Sequence, residues 1–135
     1  MAGYDKPLPI IDEDSRPYWE AAKRHELMMP RCNDCGKFVF YPRIHCPHCK
    51  GTSLTWQKLS GRGTIYSYTV PRVPITPAYK DSVPYVVALI DLDEGPRMMA
   101  NIIDCDPEQV SIGARVEVVF QDVTDEVTLP QFRLV

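Results

Sequence analysis

No stretch of the sequence holds the roughly 18 consecutive apolar residues that build a membrane-crossing helix, so no membrane span is expected. Positive charge is in deficit too: 15 lysines and arginines face 18 aspartates and glutamates, for a net charge of −3. Generic nucleic-acid binders gain affinity by neutralising phosphates and usually carry a basic excess. The balance argues against that general role, although it leaves room for a local basic patch. The opening MAGYDKPLPIIDEDSRPYWE lacks the basic segment and apolar core of a secretory signal, and the expected location is the cytoplasm. There is no G-x-S-x-G, no phosphate loop and no dinucleotide fingerprint. Internal repeats and low-complexity tracts are missing as well.

What is present reads as globular: 44% hydrophobic and 24% charged residues over 135 positions, enough for one ordinary domain or a mini-domain plus a small one. Four of the five cysteines form the pattern C-x2-C-x10-C-x2-C, at Cys32, Cys35, Cys46 and Cys49. In a cytosolic chain such paired spacing points to metal rather than disulfides. A C-x2-C knuckle turns the backbone tightly enough to aim both thiolates at one point. Two knuckles supply a tetrahedron of sulfurs, which suits Zn2+ and leaves no position open, so the site should be structural. Iron in a rubredoxin-like site is the chemical alternative. His45 and His48 flank the second knuckle and could in principle replace a cysteine, although four sulfurs already complete the shell.

The expected fold class is mainly β, in three parts: an N-terminal arm and helix over 1–26, a rubredoxin-like zinc ribbon over 27–58, and an OB-fold β-barrel over 59–135. Residues 1–13 read as an extended arm with an apolar patch at Leu8, Ile10 and Ile11. Asp14 or Ser15 can cap a helix over about 15–26, with Pro17 tolerated in its first turn. That helix would hold Tyr18, Trp19 and Ala22 on one side and pair Glu20 with Arg24 on the other. Leu27–Arg31, Phe38–Tyr41 and Leu54–Trp56 read as ribbon strands. Thr64–Val70 reads as a strand with Tyr66, Tyr68 and Val70 on one face. Residues 71–84, with four prolines, read as an irregular loop. Tyr85–Leu92 is a nearly continuous apolar run, as expected of a strand buried on both faces. With Arg97–Ile103, Arg115–Val123 and Val127–Leu134, this makes about five strands, which fits an OB-type barrel.

A catalytic group is hard to find. Four thiols are assigned to metal, and Cys105 lies between Asp104 and Asp106, whose carboxylates should raise its pKa. His25 reads as a surface or helix-end residue. Asp91, Asp93 and Glu94 fall at a strand end and turn, where solvated carboxylates are common. The chain therefore reads as non-catalytic by itself.

Several features recur in a set order: Pro17-Tyr18-Trp19-Glu20, the knuckles with Cys35-Gly36 and Pro47, Trp56, Ser60-Gly61-Arg62-Gly63-Thr64, Pro84-Tyr85-Val86-Val87-Ala88, Leu92-Asp93-Glu94-Gly95-Pro96-Arg97, Asn101-Ile102-Ile103-Asp104-Cys105, Gly113, Val116-Glu117-Val118 and Leu129-Pro130-Gln131-Phe132. This order closely resembles the zinc-ribbon plus OB-fold proteins catalogued as domain of unknown function thirty-five, over about residues 15–133. The resemblance implies a companion of thiolase-like enzymes: acyl-CoA thiolases, archaeal thiolase–synthase assemblies or aldolases that cleave steroid side chains. It implies that the partner supplies the catalytic residues. The N-terminal helices and ribbon would serve the acyl-CoA path and partner contact, and the barrel would act as scaffold. Tyr18 and Trp19 are the candidate partner or acyl-CoA contacts, on a segment too short to bury them alone; packing onto the ribbon or barrel is the alternative. The rival function is a single-stranded nucleic-acid module, with Tyr66, Tyr68 and Tyr85 as stacking platforms and Arg62, Arg72 and Arg97 meeting phosphates. The acidic balance favours cross-strand and core packing for those tyrosines, and nucleic acid is not the expected partner.

Overall fold

The computed structural model describes residues 6–135; the first five residues of the expected arm lie outside them. Helix α1, Arg16–Lys23, begins at Ser15 and carries Pro17 in its first turn. Ser15 takes the cap position, but its side chain does not cap a helix N–H. Its hydroxyl and its backbone N–H both donate to Asp12 Oδ1, at 2.7 and 2.8 Å, so the bonds close the turn that leads into the helix. The helix is shorter than expected, and Arg24, beyond its end, bonds Glu26 rather than Glu20.

Strands β1, Met28–Cys32, and β2, Leu54–Lys58, form an antiparallel ribbon in register from Met28↔Lys58 to Cys32↔Leu54. The 21 residues between them (33–53) carry the knuckles. The strand expected over Phe38–Tyr41 is not formed: only the Arg31↔Phe38 bridge exists. Pro30 accepts from Val39 N at 2.8 Å but has no N–H to return, so the ladder stops, and Phe40 and Tyr41 turn toward α1.

The remaining strands are β3 (Arg62–Thr69), β4 (Val86–Leu92), β5 (Arg97–Ile102), β6 (Arg115–Asp122) and β7 (Thr128–Leu134). They close a five-stranded barrel in the order β3-β4-β5-β7-β6. All neighbours are antiparallel except β5 and β7, which meet in parallel at the single pair Ile102↔Phe132. β4 corrects the expectation of burial on both faces. Val86, Ala88, Ile90 and Leu92 are buried in the barrel, while Val87, Leu89 and Asp91 point outward and are half-exposed. β3 carries a bulge between Ile65 and Ser67. The extra residue breaks the period-two alternation, so Tyr66 stands outward at 50% exposure while Tyr68 packs against the core.

One hydrophobic core runs through helix, ribbon and barrel, joining Tyr18, Trp19, Met29, Ile65, Ile90 and Phe132. Leu59 N donates to Leu27 O at 2.8 Å and ties the ribbon's exit to its entry beside the barrel. Gly61 sits at this junction with φ of +78°, and a Cβ there would run into the Val118 side chain, so only glycine fits. Among the described residues, no helix is long and apolar enough to cross a membrane.

Candidate metal centre

Each knuckle is built by the same local bonds. Cys32 O accepts from Gly36 N at 2.9 Å and Cys46 O accepts from Lys50 N at 2.8 Å. Cys32 N donates to Lys37 O, and Cys46 N to Gly51 O. The residue after the second cysteine must turn left-handed: Gly36 has φ of +78° and Lys50 of +66°. Glycine adopts that conformation freely, whereas lysine must be held there by the bonds around it. Cys32 and Cys46 are buried, and Cys35 and Cys49 are exposed. Val39 and half-buried Leu54 form a small apolar cluster with the two buried sulfurs.

The four Sγ atoms lie within 4.8 Å of one another. Two separations are shorter, Cys32–Cys49 at 3.5 Å and Cys35–Cys46 at 3.6 Å. A tetrahedron with Zn–S bonds of about 2.3 Å has S···S edges of about 3.8 Å, so the sulfurs fit one zinc ion. Bound there, zinc would be held by all four thiolates with no site for water or substrate, and it would supply folding energy rather than chemistry. Burial opposes ionisation of Cys46, but the backbone N–H groups of Cys49 and His48 together with hydrogen bonds from the Cys35 and Cys49 thiols outweigh it and bring the thiol down to about 7. His45 and His48 are exposed and are not in the sulfur cluster.

Tyr18 and Trp19 are buried rather than exposed, as the alternative of packing within the chain expects. They are 3% and 8% accessible. Their rings meet edge-to-face at 4.9 Å, Tyr18 also packs against Phe40 and Tyr41, and Trp19 Nε1 donates to Tyr41 Oη at 3.0 Å. Burial, and then Tyr41, push the Tyr18 hydroxyl well above its ordinary pKa. The sequence could not show that the segment between the knuckles would fold over the helix and cover both rings. The arm keeps apolar surface, with Leu8 at 43% and Ile10 at 86% exposure, as does the proline-rich loop at Val73 and Ile75.

Cys105 is half-buried against the core, and burial, then Asp106 and Asp104, raise its pKa. His25 stacks on Phe120 and bonds Asp122 at 3.1 Å, a helix-end role. Asp93 is held below its ordinary pKa chiefly by its bond from Arg115, and Asp91 pairs with Arg97 at 2.6 Å. Arg97 also lies 3.5 Å from the Tyr66 ring centroid, so that ring's face is already occupied. Tyr85 pairs with Tyr79 at 5.5 Å, and Arg62 and Arg72 stand exposed. Among the described residues these contacts include no nucleophile with an adjacent base. Sequence reasoning missed a cleft of about 470 Å³ between ribbon and barrel, lined by Lys37, Phe38, Phe40, His48, Glu94 and Arg97.

A helix, a four-cysteine ribbon and a closed five-stranded barrel sharing one core define a zinc-ribbon plus OB-fold protein. Residues 19–55 match the rubredoxin-like zinc ribbon domain of ChsH2, and residues 56–121 match the C-terminal OB-fold domain of ChsH2. The chain is 41% identical over 118 residues to a DUF35 domain-containing scaffold protein of Methanothermobacter thermautotrophicus, covering 87% of this chain and 88% of that one. It is 37% identical to a probable enoyl-CoA hydratase alpha subunit of Thermomonospora curvata, matching 95% of this chain but only 40% of that protein's length. Its fold superposes on a chain of the Ltp2-ChsH2(DUF35) aldolase with a TM-score of 0.83 at 36% identity, covering 94% of this chain and 98% of that one. The chain belongs to the ChsH2-type, or DUF35, family of zinc-ribbon plus OB-fold proteins.

Proposed function

We propose that this chain is a non-catalytic, zinc-stabilised accessory subunit of a thiolase-like enzyme that processes acyl-CoA substrates. One observation carries the reading: the whole fold matches a chain of an aldolase assembly named for Ltp2 and ChsH2, with a TM-score of 0.83. The lack of an activated nucleophile among the described residues agrees with it, because the chemistry then falls to the partner. The partner is a thiolase, an acyl-CoA synthase or a steroid side-chain aldolase. Zinc, bound by Cys32, Cys35, Cys46 and Cys49, fixes the ribbon as a rigid platform.

In this reading the arm reaches the partner through Leu8 and Ile10. Tyr18 and Trp19 serve that contact from within, by locking α1 to the ribbon so that the arm leaves in a fixed direction. The ribbon–barrel cleft is the place for part of the acyl-CoA: Phe38 and Phe40 offer an apolar floor, and Lys37, His48 and Arg97 offer cationic or hydrogen-bonding groups to phosphate oxygens. The test is affinity purification of the tagged chain from its native host at moderate salt. A stoichiometric thiolase-like enzyme supports the proposal. Recovery of single-stranded nucleic acid with no enzyme overturns it in favour of the OB-fold nucleic-acid reading.

A further inference from the structure

Two neighbouring segments carry large apolar side chains on the surface. One is the arm, with Leu8 and Ile10. The other is the proline-rich loop that joins β3 to β4, residues 70–85, where Val73 is 77% and Ile75 is 75% exposed. The segments meet at Tyr79: Lys6 Nζ lies 5.6 Å from the centre of that ring, and Lys6 and Pro7 line one cavity with Tyr79 and Tyr85. The loop is sixteen residues long, and its one regular element is the turn Pro77–Tyr79. Loops of that length are uncommon in compact domains unless they carry function. This one is held in shape. Tyr85 N donates to Pro71 O at 3.4 Å across the base, the Tyr79 and Tyr85 rings pack at 5.5 Å, and Tyr79 N donates to Thr76 O at 3.0 Å. Pro71, Pro74, Pro77 and Pro84 fix four of its φ angles. Residues 72–77 are all exposed, so the tip stands clear of the barrel.

We infer that residues 72–77 form a docking tip that places Val73 and Ile75 in an apolar, acid-edged depression of the partner enzyme, beside the arm contact. The inference rests on the accessory-subunit reading and adds a second, stiffer half to that interface. A loop already ordered by prolines loses little entropy on binding, and the β-branched side chains of valine and isoleucine lose little more. Charge sets the edge of the depression. Residues 59–135 hold eleven acidic and six basic side chains, yet the tip carries Arg72, with Lys80 close behind it. Both are exposed, and among the described residues neither forms an ion pair. A two-fold contact with a second copy would set the same patch against itself, bringing these cations together and two protruding tips end to end. A lipid surface is anchored best by tryptophan and tyrosine, and residues 72–77 include no aromatic side chain.

In the test, the enzyme that co-purifies with the wild-type chain is identified by mass spectrometry, purified, and titrated calorimetrically with zinc-loaded chains. Val73→Asp/Ile75→Asp should weaken binding about thirtyfold or more, the loss expected of anchor residues. Val73→Ser/Ile75→Ser, which adds no charge, should weaken it in the same direction. Arg72→Glu should weaken it and flatten its dependence on salt. All three variants should keep the zinc content and melting temperature of the wild type, because the altered side chains are exposed. Binding within about twofold of wild type for both double variants overturns the inference and leaves the accessory-subunit reading intact. A wild-type chain that recovers no thiolase-like enzyme overturns both. A melting temperature lowered alike by the Asp and Ser pairs shows that Val73 and Ile75 pack within the chain, and overturns the inference. If the enzyme binds the variants as well as the wild type, while the variants lose self-association in light scattering or sedimentation with phosphatidylserine vesicles, the tip belongs to a second copy or to lipid instead.

Discussion

Trp19→Ala should destabilise the isolated, zinc-loaded chain by about 3–5 kcal/mol, the usual cost of truncating a buried tryptophan. Trp19 is 8% exposed, meets Tyr18 edge-to-face at 4.9 Å and donates from Nε1 to Tyr41 Oη at 3.0 Å. Removing it opens a void where helix, ribbon and the segment between the knuckles meet. Tyr41→Phe deletes only the acceptor. Because Tyr41 is 39% exposed, water can take over part of the lost bond, and about 1 kcal/mol is expected. The double variant Trp19→Phe/Tyr41→Phe should then lose less than the sum of the singles, since both remove the same hydrogen bond. The assay is urea unfolding followed by circular dichroism with zinc in excess. A domain of this size is typically stable by about 5–15 kcal/mol, so the Trp19→Ala shift should be plain. An exposed anchor would behave differently: the isolated chain would be unchanged, and only partner binding would lose about 2 kcal/mol. A Trp19→Ala change below about 0.5 kcal/mol, the range of ordinary surface substitutions, would refute the packing argument.

Cys32→Ser should leave less than half an equivalent of zinc and unfold the ribbon, read by elemental analysis and circular dichroism; retained metal and stability would show that the ligand set is wrong. Gly61→Ala should cost about 2–4 kcal/mol in urea unfolding, because a left-handed alanine would also collide with Val118, and a neutral result would contradict that geometry. The Asp93 carboxyl has a folded pKa below its ordinary value of 3.8, so its contribution is complete above 3.8 and is lost as pH falls through the lower folded value. Asp93→Asn should therefore lower the melting temperature near neutral pH and do so progressively less in stronger acid; a deficit independent of pH would contradict the role of Arg115.

The metal ligands were legible because C-x2-C imposes its geometry locally, and two copies need only be brought together. The helix start at Ser15 was legible from cap-type residues ahead of Pro17, although the Ser15 side chain bonds Asp12 instead of a helix N–H, and most barrel strands were legible from alternation. Other features depend on residues far away in sequence. Two of the three outward side chains of β4, Val87 and Leu89, are apolar, so Tyr85–Leu92 read as buried on both faces, yet barrel closure gives it one inside and one outside. The bulge after Ile65 carries no glycine or proline to mark it, and it brings Tyr68 against the core while Tyr66 stands outward, so the two do not share a face. Phe38–Tyr41 has a strand-like composition, but its neighbour Pro30 cannot donate to a ladder, and the aromatic rings find α1 instead. That same contact hides Tyr18 and Trp19.

Turnover of acyl-CoA substrates measured for the chain alone, for its purified partner enzyme alone and for the two recombined tests the accessory-subunit account most directly. The account predicts no thiolase, aldolase or hydratase turnover by the chain alone, and a partner whose activity or stability rises when the zinc-loaded chain is added. Robust turnover by the chain in a preparation free of other proteins, or a partner indifferent to its addition, would contradict it.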